Sequence, residues 1–378
     1  MGDERLAWYR GDGMNTRLGG WLWTAIWLAA TLAVAAKETP TPPGPPESGP
    51  GSCSNYPHAA VTKSVYGEGD LQYWLFEPAA PVPNSAPVIV LNHGWSGMNP
   101  RIYGAWIEHL ARRGNIVIFP RYQASLKTPT RDLTPNAIQA VKLALLELQK
   151  GRHVRPELDK FAVVGHSAGG QITANMVALA RGEGLPQPRV AMCVQPGKSW
   201  TLSDRIKIPL EELSRVPAET LLLCVVGEDD RVARDIDAKK IFYGTTQVPL
   251  QNKDFVILRS DDHGEPPLKA THFAPVAPDP GYDSGEKKEE GERGGGAFSK
   301  IRERRSHGGE DYLDLTGGAN GVDALDTWGL WKLFDALCDA AFYGKNRDIA
   351  LGNTPEQRSM GRWSDGRPVN ELEVTDRP

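Results

Sequence analysis

A large excess of either charge sign is missing from this sequence. Its 43 Lys and Arg against 47 Asp and Glu leave a net charge of −4 over 378 residues. That balance gives no general attraction to nucleic acid or to anionic membranes. No glycine-rich phosphate loop occurs and no His/Cys cluster has metal-ligand spacing, so neither cofactor nor metal is expected. Cysteine is sparse: Cys53, Cys193, Cys224 and Cys338 are the only four. In an oxidising compartment they allow three pairings that sequence cannot separate. Cys193 and Cys224 lie inside apolar strand-like runs, where a buried free thiol fits equally well. Long apolar runs are missing too, with one exception. Residues 21–36, WLWTAIWLAATLAVAA, follow Arg17 and end in small residues. The run is shorter than the roughly 20 residues of a spanning helix, so no stable membrane span is expected. It reads as the core of a secretory signal peptide over residues 1–36, with Met14 an alternative start. The expected location is secreted or periplasmic; an uncleaved N-terminal membrane anchor is the alternative.

What is abundant is apolar residues, 40% of the chain, enough for one sizeable core. Residues 37–52 are rich in proline and glycine and read as an extended linker that does not pack, so the fold is expected over 53–378. Within it, residues 277–321 are glycine-rich and densely charged, a flexible surface insertion or a lid, and 345–378 form a C-terminal extension.

Short β-branched runs recur from Val88, Asn115, Phe161, Arg189, Thr220 and Asp254. Continuous apolar runs of this length suit strands buried on both faces. Helix patterns lie between them. One has Thr134 as N-cap, Pro135 at the first helical position, and an apolar stripe of Ile138, Val141, Leu145 and Leu148 that Gly151 ends. Another runs from Gly169 to Arg181 and stops at Gly182. Strands alternating with helices predict an α/β fold, a mostly parallel central sheet of about eight strands flanked by helices. Ligands in such sheets bind beyond the carboxyl ends of the strands.

The run at Phe161 ends in Gly165-His166-Ser167-Ala168-Gly169-Gly170 and a helix follows. G-x-S-x-G between strand and helix is a sharp turn that projects the serine, with glycines where side chains would collide. Ser167 is therefore the candidate nucleophile, above a helix N-terminus that favours a developing anion. His166 points elsewhere in such a turn and is not the expected base. The oxyanion donors are expected at the backbone N–H of Ala168 and at that of Trp95, in the loop NHGWSGMNP after the run at Val88. Trp95, Trp106 and Trp200 are candidates for an apolar acyl pocket, with residues 196–219 as a small cap.

With the order of elements, GHSAGG, NHGW and GEDDRV in this chain resemble the α/β-hydrolase superfamily. Within it the chain looks most like secreted cutinase, polyester-hydrolase and chlorophyllase-like esterases, including dienelactone-hydrolase relatives, over residues 66–344. The resemblance implies a Ser–Asp–His esterase with no cofactor. Its usual acid pattern is glycine, two residues, aspartate, then an apolar residue two further on. Asp230 fits this with Val232 after it, and Asp229 is the alternative. For the base, His263 has the better spacing, five residues past Leu258, while His272 has the better local pattern, ATHFAP. His272 is preferred and His263 remains open. Here the helix that should follow the base is delayed by the insertion until about Asp323. The expected activity is hydrolysis of a small or polymeric carboxylic ester through an acyl-enzyme. A non-catalytic binding protein on the same fold, or an acyltransferase or peptidase, is the alternative.

Overall fold

The computed structural model describes residues 38–197, 207–285 and 321–378. The signal-peptide segment, Trp200 and most of the 277–321 insertion lie outside the described residues. In chain order the strands are β1 (Ala60–Tyr66), β2 (Tyr73–Ala79), β3 (Ser85–Asn92), β4 (Ile116–Pro120), β5 (Arg155–His166), β6 (Val190–Val194), β7 (Leu221–Gly227), β8 (Lys253–Leu258) and β9 (Glu373–Thr375). They form one sheet in the order β1-β2-β4-β3-β5-β6-β7-β8-β9. The β1/β2, β2/β4 and β8/β9 pairings are antiparallel and the five between are parallel. The six apolar runs of the sequence are β3 to β8. The half-exposed β1 escapes such a reading because all of its positions are exposed or half-buried and it carries no continuous apolar signal.

The main helices are α1 (Gly104–Arg112), α2 (Leu133–Glu147), α3 (Ala168–Glu183), α4 (Ile236–Gly244) and α5 (Lys332–Tyr343). Because side chains alternate across a strand, β3 serves both faces of the sheet. Ile89 and Leu91 pack with Trp106, Leu110, Phe334 and Leu337 of α1 and α5. Val88 and Val90 pack with Ile138 and Val141 of α2 and Ile172 and Met176 of α3. A third cluster joins α4 to β6 and β7 and contains Cys193 and Cys224, which face each other in register across those strands. All four cysteines are free thiols.

The local signals are right in kind and shifted in place. Asp132, not Thr134, stands at the N-cap of α2. The Thr134 hydroxyl instead accepts from the Asn175 side chain, 3.1 Å away on α3. The αL residue that ends α3 is Gly184 rather than Gly182. A π-helical turn, Leu325–Trp331, leads into α5.

One expectation of looseness is corrected. The segment before Cys53 is extended but docked, and Thr39–Pro378 form one compact unit. Proline removes donors from this stretch, yet its remaining backbone groups find partners. Ser364 N–H and Glu265 N–H donate to the Thr41 and Pro40 carbonyls, Trp328 Nε1–H donates to Gly44 O at 2.8 Å, and Gly51 N–H donates to Asp335 at 2.8 Å. A Cβ on Gly51 would lie 2.3 Å from Thr327 O, so only glycine allows that approach. The C-terminal extension is part of the same compact unit. It supplies β9, which pairs with β8 and raises the strand number to nine, and it buries Met360, Trp363 and Leu372. At the start of the insertion Tyr282 is buried, so the described part of that segment is packed onto the domain.

Candidate active site

β5 enters Ser167 and α3 leaves it with no intervening residue. Ser167 takes φ 56° and ψ −120°, a conformation that costs a non-glycine residue about 1–3 kcal/mol. Neighbouring backbone holds it there. Ser167 N–H donates to Val194 O at 2.9 Å, and Ser167 O accepts from Gly170 N–H at 2.9 Å and Gly197 N–H at 3.2 Å. The turn is tight enough that a Cβ on Gly165 would stand 2.2 Å from Gly169 O. One on Gly169 would stand 2.1 Å from Asn92 O. Glycine at both positions is therefore a steric requirement of this turn.

The carboxyl end of β7 brings up Asp230. Its Oδ1 accepts from Val232 N–H at 2.8 Å and Ala233 N–H at 2.9 Å. Its Oδ2 accepts from His272 Nδ1–H at 2.8 Å. Burial by itself would raise this carboxyl. The bond to His272 and the two backbone donors outweigh it and hold Asp230 below the usual carboxylate range. On the other side of the ring, His272 Nε2 lies 2.9 Å from Ser167 Oγ, which donates to it. All three side chains are buried, at 4–5% exposure. The structure thus joins Ser167, His272 and Asp230 in one hydrogen-bonded chain.

His263 is placed elsewhere. Its ring lies 2.8 Å from Asp365 and 2.8 Å from Arg367, both in the C-terminal extension. After β8 the chain makes a short excursion over 259–271 that Asp261 and Leu268 close by an antiparallel bridge, each N–H donating to the other's carbonyl at 2.9 Å. The excursion carries His263 away and returns His272 to the site. Asp229, the alternative acid, steadies this excursion by accepting from the Ser260 hydroxyl at 2.7 Å. Asp261 is tied in turn to Trp363 Nε1–H at 3.0 Å and Asn370 N–H at 2.9 Å.

Several residues around the chain escape a sequence reading. Gln195 follows β6 and is fully buried. Its Nε2 donates to Thr271 O at 2.8 Å, bracing the loop that bears His272. Gly227 lets that loop approach, since a Cβ there would lie 2.3 Å from Ala270 O. The Tyr103 hydroxyl accepts from Gly94 N–H at 2.9 Å and lies 2.9 Å from His166 Nδ1. His166 Nε2 lies 2.8 Å from His272 O. His93 is stacked on Tyr122 with centroids 4.0 Å apart. Its ring nitrogens stand 2.6 Å from the Gly94 and Arg121 carbonyls, and burial pushes its pKa down to about 4. For Gln195 and His93 the only sequence-level sign is polarity just beyond the end of an apolar strand, which many solvated loops share.

Gly94 packs against the nucleophile, since a Cβ on it would meet Ser167 Cβ at 3.4 Å. The next residue, Trp95, is half-buried and packs against the core cluster on the α2 and α3 face of the sheet, and Ala168 is the first residue of α3. Trp106 is a core residue against Phe334 and not part of a pocket. Of the 196–219 segment, the described part packs on α3, where Gln171 donates to Ile208 O at 3.3 Å and Asn175 to Pro209 O at 2.9 Å. Among the described residues no three His, Cys, Asp or Glu side chains gather as a metal ion would need, and no helix is long and apolar enough to cross a membrane.

Residues 90–226 match the model of a family described as having the alpha/beta hydrolase fold. That span runs from β3 through the Ser167 turn to β7. Together with the nine-stranded, mostly parallel sheet it gives this chain an α/β-hydrolase fold. No curated protein matches the chain.

Proposed function

We propose that the protein is an exported serine hydrolase that cleaves carboxylic esters through an acyl-enzyme. The observation that carries this reading is the Ser167–His272–Asp230 chain, with both bonds to the imidazole at 2.8–2.9 Å. A serine hydroxyl is a weak nucleophile until a base accepts its proton, and an imidazole serves only if its far nitrogen is fixed. Asp230 does that here. Its charge also favours the imidazolium that forms.

In the first half-reaction His272 Nε2 takes the Ser167 proton as Oγ bonds to the ester carbonyl carbon. The oxyanion is held by the backbone N–H groups of Ala168 and Trp95, helped by the N-terminal end of α3. The C–O bond to the alcohol then breaks and the alcohol leaves with the proton from His272. Water enters, gives its proton to His272 and attacks the acyl carbon. Collapse returns the proton to Ser167 and releases the acid. One ester and one water give one acid and one alcohol, with no cofactor.

A likeness to cutinase, polyester-hydrolase and chlorophyllase-like esterases is supported by the GHSAGG, NHGW and ATHFAP stretches. Export is supported by the composition of residues 21–36. The test is labelling by a fluorophosphonate, beside turnover of nitrophenyl esters of increasing chain length and of a polyester film. We expect labelling and turnover that Ser167→Ala removes. A wild type that neither labels nor turns over esters, or labelling that survives the substitution, overturns the reading.

A further inference from the structure

We propose that His166 is a positioning residue, a neutral imidazole that ties the loop bearing Trp95 to the loop bearing His272 and so sets oxyanion donors and base as one unit. The inference builds on the ester-hydrolase reading above. His166 precedes the nucleophile, is 3% exposed, and both of its ring nitrogens are engaged. Nδ1 lies 2.9 Å from the Tyr103 hydroxyl and Nε2 lies 2.8 Å from the main-chain carbonyl of His272. The Tyr103 oxygen is itself 2.9 Å from Gly94 N, the residue before Trp95.

Assigning the protons settles the direction of each bond. The His272 carbonyl can only accept, so a neutral His166 carries its proton on Nε2. Nδ1 then accepts from the tyrosine O–H, and the tyrosine oxygen accepts from Gly94 N–H. All three hydrogen bonds are compatible with the Nε2–H tautomer. Burial, with the neighbouring His272 acting in the same sense, lowers the His166 pKa to about 3 and agrees with a neutral ring.

Neutrality matters to the chemistry. The His166 and His272 rings are 4.9 Å apart, centroid to centroid, and His272 becomes an imidazolium in each half-reaction. A second cation there would oppose it. A neutral donor does not, and its bond to the His272 carbonyl fixes the backbone from which that ring hangs. A displacement of about 1 Å at such a ring can cost about 100-fold in rate. The arrangement also explains why the histidine beside the nucleophile is not its base, since both of its nitrogens serve other loops.

The experiment compares His166→Phe, His166→Gln, Tyr103→Phe and the His166→Phe/Tyr103→Phe double variant with wild type. It reads kcat per fluorophosphonate-titrated site and KM on one nitrophenyl ester. The Phe variants at either position should lose about 10- to 100-fold in kcat while KM moves by less than about twofold. His166→Gln should stay within about threefold of wild type, because its amide can donate to His272 O and accept from Tyr103. The double variant should be no worse than the poorer single, as members of one chain are not additive. Wild-type kcat per site in Tyr103→Phe or in folded His166→Phe overturns the inference. So does a Gln variant as impaired as Phe, or a loss confined to KM. If His166→Phe does not fold, Tyr103→Phe and His166→Gln decide the matter alone. A wild type that fails to label overturns the ester-hydrolase reading itself, whereas an active wild type with insensitive variants overturns only the role of His166.

Discussion

Asp230 holds His272 with one carboxylate oxygen, at 2.8 Å, while its other oxygen is pinned by the N–H groups of Val232 and Ala233. The carboxylate therefore cannot turn, and the imidazole must keep its proton on Nδ1 and its lone pair toward Ser167. Asp230→Asn keeps the shape but, with its oxygen held by the backbone donors, presents an amide N–H to the ring. The imidazole then takes the wrong tautomer. We expect kcat to fall about 10⁴-fold with the fold intact, measured on a nitrophenyl ester. Less than about tenfold would place the acid elsewhere.

Of the two loop histidines only one touches the nucleophile. His272→Ala should cost about 10³-fold or more in kcat. His263→Ala should leave kcat within about threefold and lower stability slightly, since the hydrogen bonds of its ring to Asp365 and Arg367 are partly exposed. The reverse order in parallel assays would refute this assignment.

The turn at Ser167 tolerates no methyl group beside it. Gly169→Ala would put a carbon 2.1 Å from Asn92 O and 2.4 Å from His93 O, all backbone on the acceptor side. Soluble yield or melting temperature should collapse. A Gly169→Ala protein that melts and turns over like wild type would show the turn to be wider than described.

Acid should weaken the fold before it neutralises the carboxylates. Burial lowers folded His93 from 6.5 to about 4, and burial together with His272 lowers folded His166 from 6.5 to about 3. Between those values and 6.5 the unfolded chain binds more protons than the folded one. Stability present above pH 6.5 is then lost as pH falls, by up to about 1.4 kcal/mol per pH unit for each histidine. Asp230, lowered in the folded state, adds a contribution present above the ordinary carboxylate range and lost as pH falls through its folded value. Urea midpoints at pH 7, 6 and 5 should drop steadily, and less steeply in His166→Gln. A flat series would contradict buried neutral rings.

The C-terminal extension should matter to the site at a distance. Trp363 is 1% exposed and its indole N–H holds Asp261 at the neck of the excursion that returns His272. Trp363→Ala should cost about 3–5 kcal/mol of stability as a large-to-small core change and lower kcat as the His272 loop loosens. An unchanged thermal midpoint would show that this packing contributes nothing.

The sequence by itself determined what is settled within a few residues. Six continuous apolar runs suit strands buried on both faces, and they are β3 to β8. The crowding that admits glycine alone at 165 and 169 arises between backbone atoms of one turn and the strand beside it, so GHSAGG states its geometry locally. Exact helix ends were less legible, because Thr134 met a tertiary partner, Asn175, in place of a cap.

What only the tertiary structure decided depends on groups far apart in the chain. Spacing and local pattern favoured different histidines. The choice between them is made by an excursion closed through Asp261 and Leu268 and braced by Trp363 and Asn370, about a hundred residues later. The docking of the proline-rich segment and the ninth strand have the same origin. Composition predicts that such stretches cannot build a core of their own, and it holds no information on whether a distant surface offers their backbone groups partners.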